Sequence, residues 1–316
     1  MALHLQRSRQ RRWLRLDGIN VADCFNKYHP LVNFLYFTLV LAFSMVLTHP
    51  IAQGISLLCA LCYAMQCEGK KAALFGIKFC LPLLLLTAFI NPAFSHEGAT
   101  ILLYFPTGNP LTLESILYGL SAGTMLAAVL MWFRSFNRVI TSDKFIYLFG
   151  RIIPALSLIL SMTLRFVPKF KAQLDTVAEA QRSIGRDVST GSLWQRTRTA
   201  ITILSIMITW ALENAIETAD SMKSRGYGLK GRSAFSIYRL DDRDRMALLW
   251  LGFCGMYLIC GTIGSAFGFR YFPSIRYASL NVVTLSFHLV YLMLCATPIF
   301  LNALEDRKWK AIVSNM

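Results

Sequence analysis

Six long apolar runs, 31–48, 51–67, 72–90, 113–133, 246–268 and 278–304, set the strongest constraint on what this chain can fold into. A helix needs about 20 apolar residues to cross the hydrocarbon core of a bilayer. No water satisfies the backbone there, so each crossing segment has to close its own hydrogen bonds as a helix. The runs therefore predict an all-α integral membrane protein with about six transmembrane helices. Composition agrees: 55% of the residues are hydrophobic and 16% are charged, and the mean hydropathy is +0.48, outside the range of ordinary soluble domains. His49-Pro50 supplies the first turn and Glu68-Gly69-Lys70-Lys71 the second. The third connection, "NPAFSHEGATILLYFPTGNPLT", is long, rich in Pro and Gly, and free of Lys and Arg.

A net charge of +15 would suit a nucleic-acid partner, but the basic residues are scattered among the apolar runs, as the positive-inside bias of membrane proteins requires. The lipid bilayer is the expected partner, and no nucleic acid. With both termini in the cytoplasm, 29 of the 32 basic residues fall on the inner side, leaving Lys78 within a run and Arg270 and Arg276 outside. The opposite orientation reverses that bias. The expected organisation is a basic cytoplasmic segment over 1–30, four transmembrane helices within 31–133, a cytoplasmic or interfacial coupling domain over 134–245, two transmembrane helices within 246–304, and a cytoplasmic tail over 305–316. The arginine-rich opening "MALHLQRSRQRRWLRLDG" precedes any long apolar run and reads as membrane-adjacent rather than as a cleavable signal. A multi-pass protein of the cell membrane follows.

The segment 145–164, "FIYLFGRIIPALSLILSMTL", is long enough to cross but contains Arg151 and Pro154. If it crossed, 201–219, with Glu213 and Glu217, would have to return. The segment is expected to be interfacial, re-entrant or packed near the inner leaflet. Two amphipathic helices follow. In the first, Phe166, Phe170, Leu174 and Val177 recur at helical spacing; in the second, Ile201, Leu204, Ile208, Leu212, Ala215, Ala219 and Met222 advance by threes and fours. The second stops on "KSRG", where a basic last turn complements the helix dipole and Gly226 takes the left-handed cap. Together they form a cytoplasmic platform of amphipathic helices.

Catalytic signatures are absent. The chain has no G-x-x-x-x-G-K-[ST] phosphate loop, no H-E-x-x-H and no G-x-S-x-G. Of the eight cysteines, most lie in apolar runs, where a thiol packs as a small hydrophobe; Cys59-Ala-Leu-Cys62 lacks the second ligand pair a zinc site needs. No metal, cofactor or catalytic residue is expected. His96 and Glu97 read as solvated loop residues. Gly119 with Gly123 and Gly264 with Gly268 are small-xxx-small pairs, expected to pack within the chain or to meet another membrane subunit. Lys78 is the main candidate for a polar path through a self-contained secondary transporter or channel, the alternative reading, but it lies close enough to Lys71 to snorkel to the inner surface.

"NPAFSHEG", "PLTLESILYGL", "TSDKFIYLFGRIIPALSLILSMTLRFVP" and "ALENAIETADSMKSRGYG" resemble stretches of the transmembrane T component of energy-coupling-factor (ECF) transporters, the family that includes the CbiQ proteins of cobalt uptake. The resemblance covers most of the chain from His29-Pro30 onward. It implies a non-catalytic subunit of an ABC importer, joining two cytosolic ATPases, which bind the ATP, to a membrane-embedded substrate-binding S component for a vitamin or metal ion. It also implies that two coupling helices end in Ala-Arg-Gly-like motifs seated on the ATPases. Ser224, Arg225 and Gly226 match the second motif, with Ser for Ala. The first, Ala180-Gln-Arg-Ser-Ile-Gly185, carries Ile184 where the family pattern has arginine. Either Arg182 or Arg186 substitutes, with Arg182 favoured because it lies in the helix, or the contact is mainly apolar. Arg182, Ser183 and Gly185 are the candidate residues there.

Overall fold

The structure is a computed structural model that describes residues 24–104, 110–150, 153–229, 238–264, 267–277 and 281–314. The arginine-rich segment before Cys24, Arg151 and most of the connector after Leu229 lie outside the described residues. In order, the helices are α1 (Pro30–Val46), α2 (Pro50–Glu68), α3 (Lys70–Phe94), α4 (Leu113–Val139), α5 (Ser142–Gly150), α6 (Pro154–Ser183), α7 (Leu193–Ser224), α8 (Asp242–Ile263) and α9 (Val282–Ser314). Two small antiparallel hairpins interrupt them: β1 (Ile101–Tyr104) with β2 (Pro110–Thr112), and β3 (Phe269–Arg270) with β4 (Arg276–Tyr277). The protein is thus an all-α integral membrane protein by class.

The chain divides into two compact units, Met1–Lys144 with Tyr238–Met316, and Phe145–Ile237. Among the described residues, six helices are long and apolar enough to cross a membrane: α2, α3, α4, α7, α8 and the Val282–Glu305 part of α9. This set differs from the expected one at two places. α1 has 17 residues and falls just short of the length, whereas α7, read from its sequence as an amphipathic coupling helix, reaches it by length and composition.

Local chemistry explains the turns. His-Pro opens both α1 and α2. The proline fits the first helical position, where its missing N–H is no loss. The histidine ring caps the end: Nδ1 of His29 accepts from Leu31 N at 3.2 Å and Nδ1 of His49 from Ile51 N at 3.3 Å. In α3 the stretch Gly76–Cys80 widens to a π-helical turn. Pro82 lies four residues beyond Lys78, whose carbonyl its ring would strike in a regular helix, and the wider turn relieves that clash. Lys78 is exposed there, with its ammonium 5.8 Å from the Phe79 ring.

The first unit is centred on Trp132 of α4, which is fully buried with Tyr36 and Phe37 of α1, Tyr63 of α2, and Tyr291 of α9. The Trp132 indole N–H donates to Ser56 Oγ at 3.0 Å. The Ser56 hydroxyl, which accepts that bond, shares a second hydrogen bond with Ser44 Oγ, 2.6 Å away, and Ser44 also meets the Tyr291 hydroxyl at 3.2 Å. Four helices are pinned through one chain of hydrogen bonds. α3 packs along α4 because Gly119 and Gly123 let it: a Cβ on Gly119 would stand 2.7 Å from Thr87 O, and one on Gly123 2.9 Å from Leu84 Cα. This pair therefore packs against its own chain. The second expected pair is not a helical face, because α8 ends at Ile263 and Gly264 and Gly268 both lie beyond it. The glycines buried in α8 are instead Gly255, against Leu39, and Gly261, against Phe287.

Three outcomes follow for unfolding in detergent. Gly123→Ala should lower stability by about 1–3 kcal/mol through overpacking on the α3 backbone. Gly54→Ala, where nothing lies within 4 Å of the added Cβ, should leave it unchanged or raise it by up to about 1 kcal/mol. Ser56→Ala strands the Trp132 N–H and should cost about 1–2 kcal/mol.

Candidate functional site

The coupling candidates Arg182, Ser183, Gly185, Ser224, Arg225 and Gly226 all lie in the second unit, at the ends of α6 and α7. The expected segment 145–164 is not one helix. α5 ends at Gly150 and α6 starts at Pro154. From there α6 runs for 30 residues, so the apolar end of that segment and the first amphipathic helix are one element. α6 and α7 run antiparallel where they touch. Phe170 meets Trp210 edge-on at 5.2 Å, Lys169 Nζ donates to Asn214 Oδ1 at 2.7 Å, and Val177 is buried with Ile203 and Met207.

This contact does not use the stripe that the spacing marked. The stripe of Ile201, Leu204, Ile208 and Leu212 does not cover α6; these residues are 51–62% exposed. α6 instead takes the neighbouring face carrying Ile203, Met207 and Trp210. α7 is apolar on two faces, and one of them has no cover among the described residues of the unit. On α6, Phe170 and Val177 are in the contact while Leu174 is exposed.

Both helices end with the same geometry. On α7, Arg225 is the last residue of right-handed conformation (φ −87°) and Gly226 turns left-handed at φ +80°. Gly226 N donates to Lys223 O at 3.0 Å and Tyr227 N to Met222 O at 3.0 Å. On α6, Ile184 (φ −97°) precedes Gly185 at φ +79°; Gly185 N donates to Arg182 O at 3.0 Å and Arg186 N to Gln181 O at 2.9 Å. Each is a Schellman cap, whose paired bonds satisfy carbonyls that a helix end otherwise leaves orphaned. Superposing the bonding pattern puts Ile184 and Arg225 in equivalent positions, and both side chains are exposed. The two ends lie on opposite sides of the Val177–Ile203 contact. About 10 Å of helix separates it from Ile184 and about 33 Å separates it from Arg225, at 1.5 Å per residue.

Their surroundings differ. Arg225 makes no ion pair among the described residues. Arg182, by contrast, pairs with Asp187 at 3.5 Å. Asp187 accepts from Ser189 N at 3.0 Å and Ser189 Oγ at 2.6 Å, and these bonds hold its carboxyl below the usual carboxylate range, aided by Arg182 and Arg196. Arg196 Nε also ties Val188 O at 2.7 Å. Ser192 and Gln195 form a reciprocal capping box at the start of α7. The loop after the first cap is thus braced by residues that the motif comparison did not single out. Ser192-x-x-Gln195 was legible as a capping box; the Asp187 and Arg196 contacts depend on the loop's path. The described residues hold no group of three or more His, Cys, Asp or Glu arranged for a metal.

The left-handed caps give a measurable difference. Gly185→Ala meets nothing within 4 Å and should cost only the left-handed strain, about 1–2 kcal/mol. Gly226→Ala should cost more, since its Cβ would approach Leu229 Cδ1 to 3.1 Å. Hydrogen exchange of the last-turn amides in each helix checks both.

Residues 29–236 match the family model described as cobalt transport protein, CbiQ. Among curated proteins, the chain is similar to energy-coupling factor transporter transmembrane protein EcfT 1 of Listeria monocytogenes, 28% identical over 200 residues that make up 58% of this chain and 73% of the relative. It is also similar to the EcfT proteins of Bacillus selenitireducens, 35% identical over 94 residues, and Lactobacillus helveticus, 33% identical over 96. Those two matches span 35% of each relative's length.

Proposed function

Since this chain belongs to the CbiQ family, the transmembrane T components of energy-coupling factor transporters, we propose that it couples two cytosolic ABC ATPases to a substrate-binding S component in the same membrane. The observation that carries this reading is the pair of matching helix ends. Ile184 and Arg225 occupy the same place in the same cap, exposed, on opposite sides of the α6 and α7 contact. Two docking points on one rigid pair of helices suit a dimer of similar ATPases, one groove for each end. ATP binding and hydrolysis change the separation of the ATPases, α6 and α7 move with the grooves that hold them, and the S component releases its cargo to the cytoplasm. The cargo is a vitamin or a metal ion, selected by the S component. The uncovered apolar stripe on α7 supports contact with a partner that is itself embedded in the membrane. Both termini face the cytoplasm on the charge distribution.

The two contacts differ in chemistry. Arg225 presents a guanidinium that stays charged and forks onto a carboxylate. At the other end Arg182 is engaged by Asp187, so the first contact is apolar and made by Ile184, with Ser183 and Gly185 shaping the end. A self-contained transporter fits less well. Its ionisable groups would line the bundle interior, whereas Lys78 is exposed and the buried charged residues Glu114, Lys144 and Asp244 each lie in the first turn of a helix.

Co-purification tests the assignment. The wild-type chain should bring down two nucleotide-binding subunits. Arg225→Ala should insert normally but lose about 2–5 kcal/mol of ATPase binding, with uptake falling in parallel, and Arg225→Lys should restore only part. Ile184→Asp should weaken the other contact alone. Normal ATPase capture and uptake by Arg225→Ala would sink the reading.

A further inference from the structure

A groove of about 630 Å³ runs between α6 and α7 at the Arg225 end of the pair. Arg165 and Lys169 stand on its α6 wall, with Arg225 at its open end and Glu217 as the one carboxylate lining it. Three cations thus face one anion. Arg165 and Arg225 have no ion pair among the described residues, and Lys169 gives one of its three N–H donors to Asn214. The groove carries an excess of two positive charges with free donors and asks for an anion.

The sequence of α6 places this charge at an apolar boundary. From Pro154 to Leu164 the helix has no charged residue, and Arg165 is the first. Ile159, 60% exposed, and the exposed Leu164 present apolar surface on the turns just before it. Lys169 lies 5.5 Å from the Trp210 ring and 5.9 Å from the Phe166 ring. Basic and aromatic side chains together at the end of an apolar stretch are the signature of the headgroup layer of a bilayer. The ligand is therefore amphiphilic, with an anionic head and apolar tails.

We propose that this groove is a binding site for the headgroup of an anionic phospholipid. Arg165 contacts its phosphodiester through the guanidinium fork, Lys169 adds a point charge, and the acyl chains follow the exposed apolar turns of α6. A phosphodiester is a monoanion across the physiological range, and a guanidinium pairs with two of its oxygens at once. A zwitterionic lipid cancels its own phosphate charge and gains less from the groove. The site rests on the second unit alone and does not depend on the coupling reading. An ATPase that takes Arg225 leaves Arg165 and Lys169 facing Glu217, so the groove keeps an excess of one positive charge.

Native mass spectrometry of the detergent-solubilised chain, titrated with phosphatidylglycerol or phosphatidylcholine, tests this. Phosphatidylglycerol should be retained in preference. Each groove cation near a membrane surface is worth about fivefold in affinity, so Arg165→Gln with Lys169→Gln should weaken retention about 25-fold. Lys171→Gln, which removes one cation outside the groove lining, should leave it unaltered. Glycerol phosphate, the head without tails, should not displace the lipid at equal concentration. If the double variant loses its helical circular dichroism, salt serves instead: raising ionic strength on the wild-type chain should release phosphatidylglycerol and not phosphatidylcholine. Equal retention of the two lipids, wild-type retention by a folded double variant, or displacement by glycerol phosphate would each overturn the site.

Discussion

A buried hydrogen-bond donor in an apolar bundle has to find its acceptor on a polar group of a packed helix, because neither lipid nor an apolar side chain offers one. In the first unit that donor is the Trp132 indole. Its N–H goes to Ser56, and Ser56 shares a hydrogen bond with Ser44, which in turn meets Tyr291. Tyr36 closes a second link onto the Cys295 carbonyl at 3.0 Å. α1, α2, α4 and α9 are fixed in register by these few atoms. Van der Waals packing alone would let apolar helices slide, since lipid is as apolar as leucine. The glycine face that seats α3 on α4 has meaning only once α4 is held in this way.

The same requirement governs the second unit at its helix ends. α6 and α7 each stop where a glycine turns left-handed and returns two amides to the last turn. The stop is sharp, so the residue before the glycine projects from the end of a rigid rod. That residue is isoleucine on one helix and arginine on the other. An end that satisfies its own carbonyls makes no further demand on a partner's backbone, and the projecting side chain decides what can dock there. Lys169 fixes the two rods together through Asn214 and Trp210 while leaving two donors to the groove beside it.

Much of this was legible in the chain. The His-Pro starts, the capping box at Ser192, and the Ser-Arg-Gly stop on α7 are local chemistry, set by residues within one turn of each other. The correspondence of Ile184 with Arg225 was also readable, from the glycine that follows each. The face of α7 was not. Ile201, Leu204, Ile208 and Leu212 form the more regular stripe, yet Ile203, Met207 and Trp210 meet α6, because a helix apolar on two sides does not say which side its neighbour takes. Gly264 and Gly268 failed for a related reason: a four-residue spacing is a helical face only while the helix lasts, and α8 ends at Ile263. The pairing of Arg182 with Asp187 could not be read from a motif, since it depends on the turn that Gly185 imposes.

By itself, then, the sequence determined the class of solvent this chain requires, the helices that solvent enforces, their caps, and the family to which the chain belongs. Those properties follow from transfer free energy and from hydrogen bonds over short spans, which act residue by residue. Only the tertiary structure decided which apolar faces are spent on internal packing and which stay uncovered, which cations are already paired, and where Arg165, Lys169 and Arg225 converge. Such properties depend on which residues distant in sequence become neighbours, and charge or hydrophobicity at a single position carries no record of its neighbour.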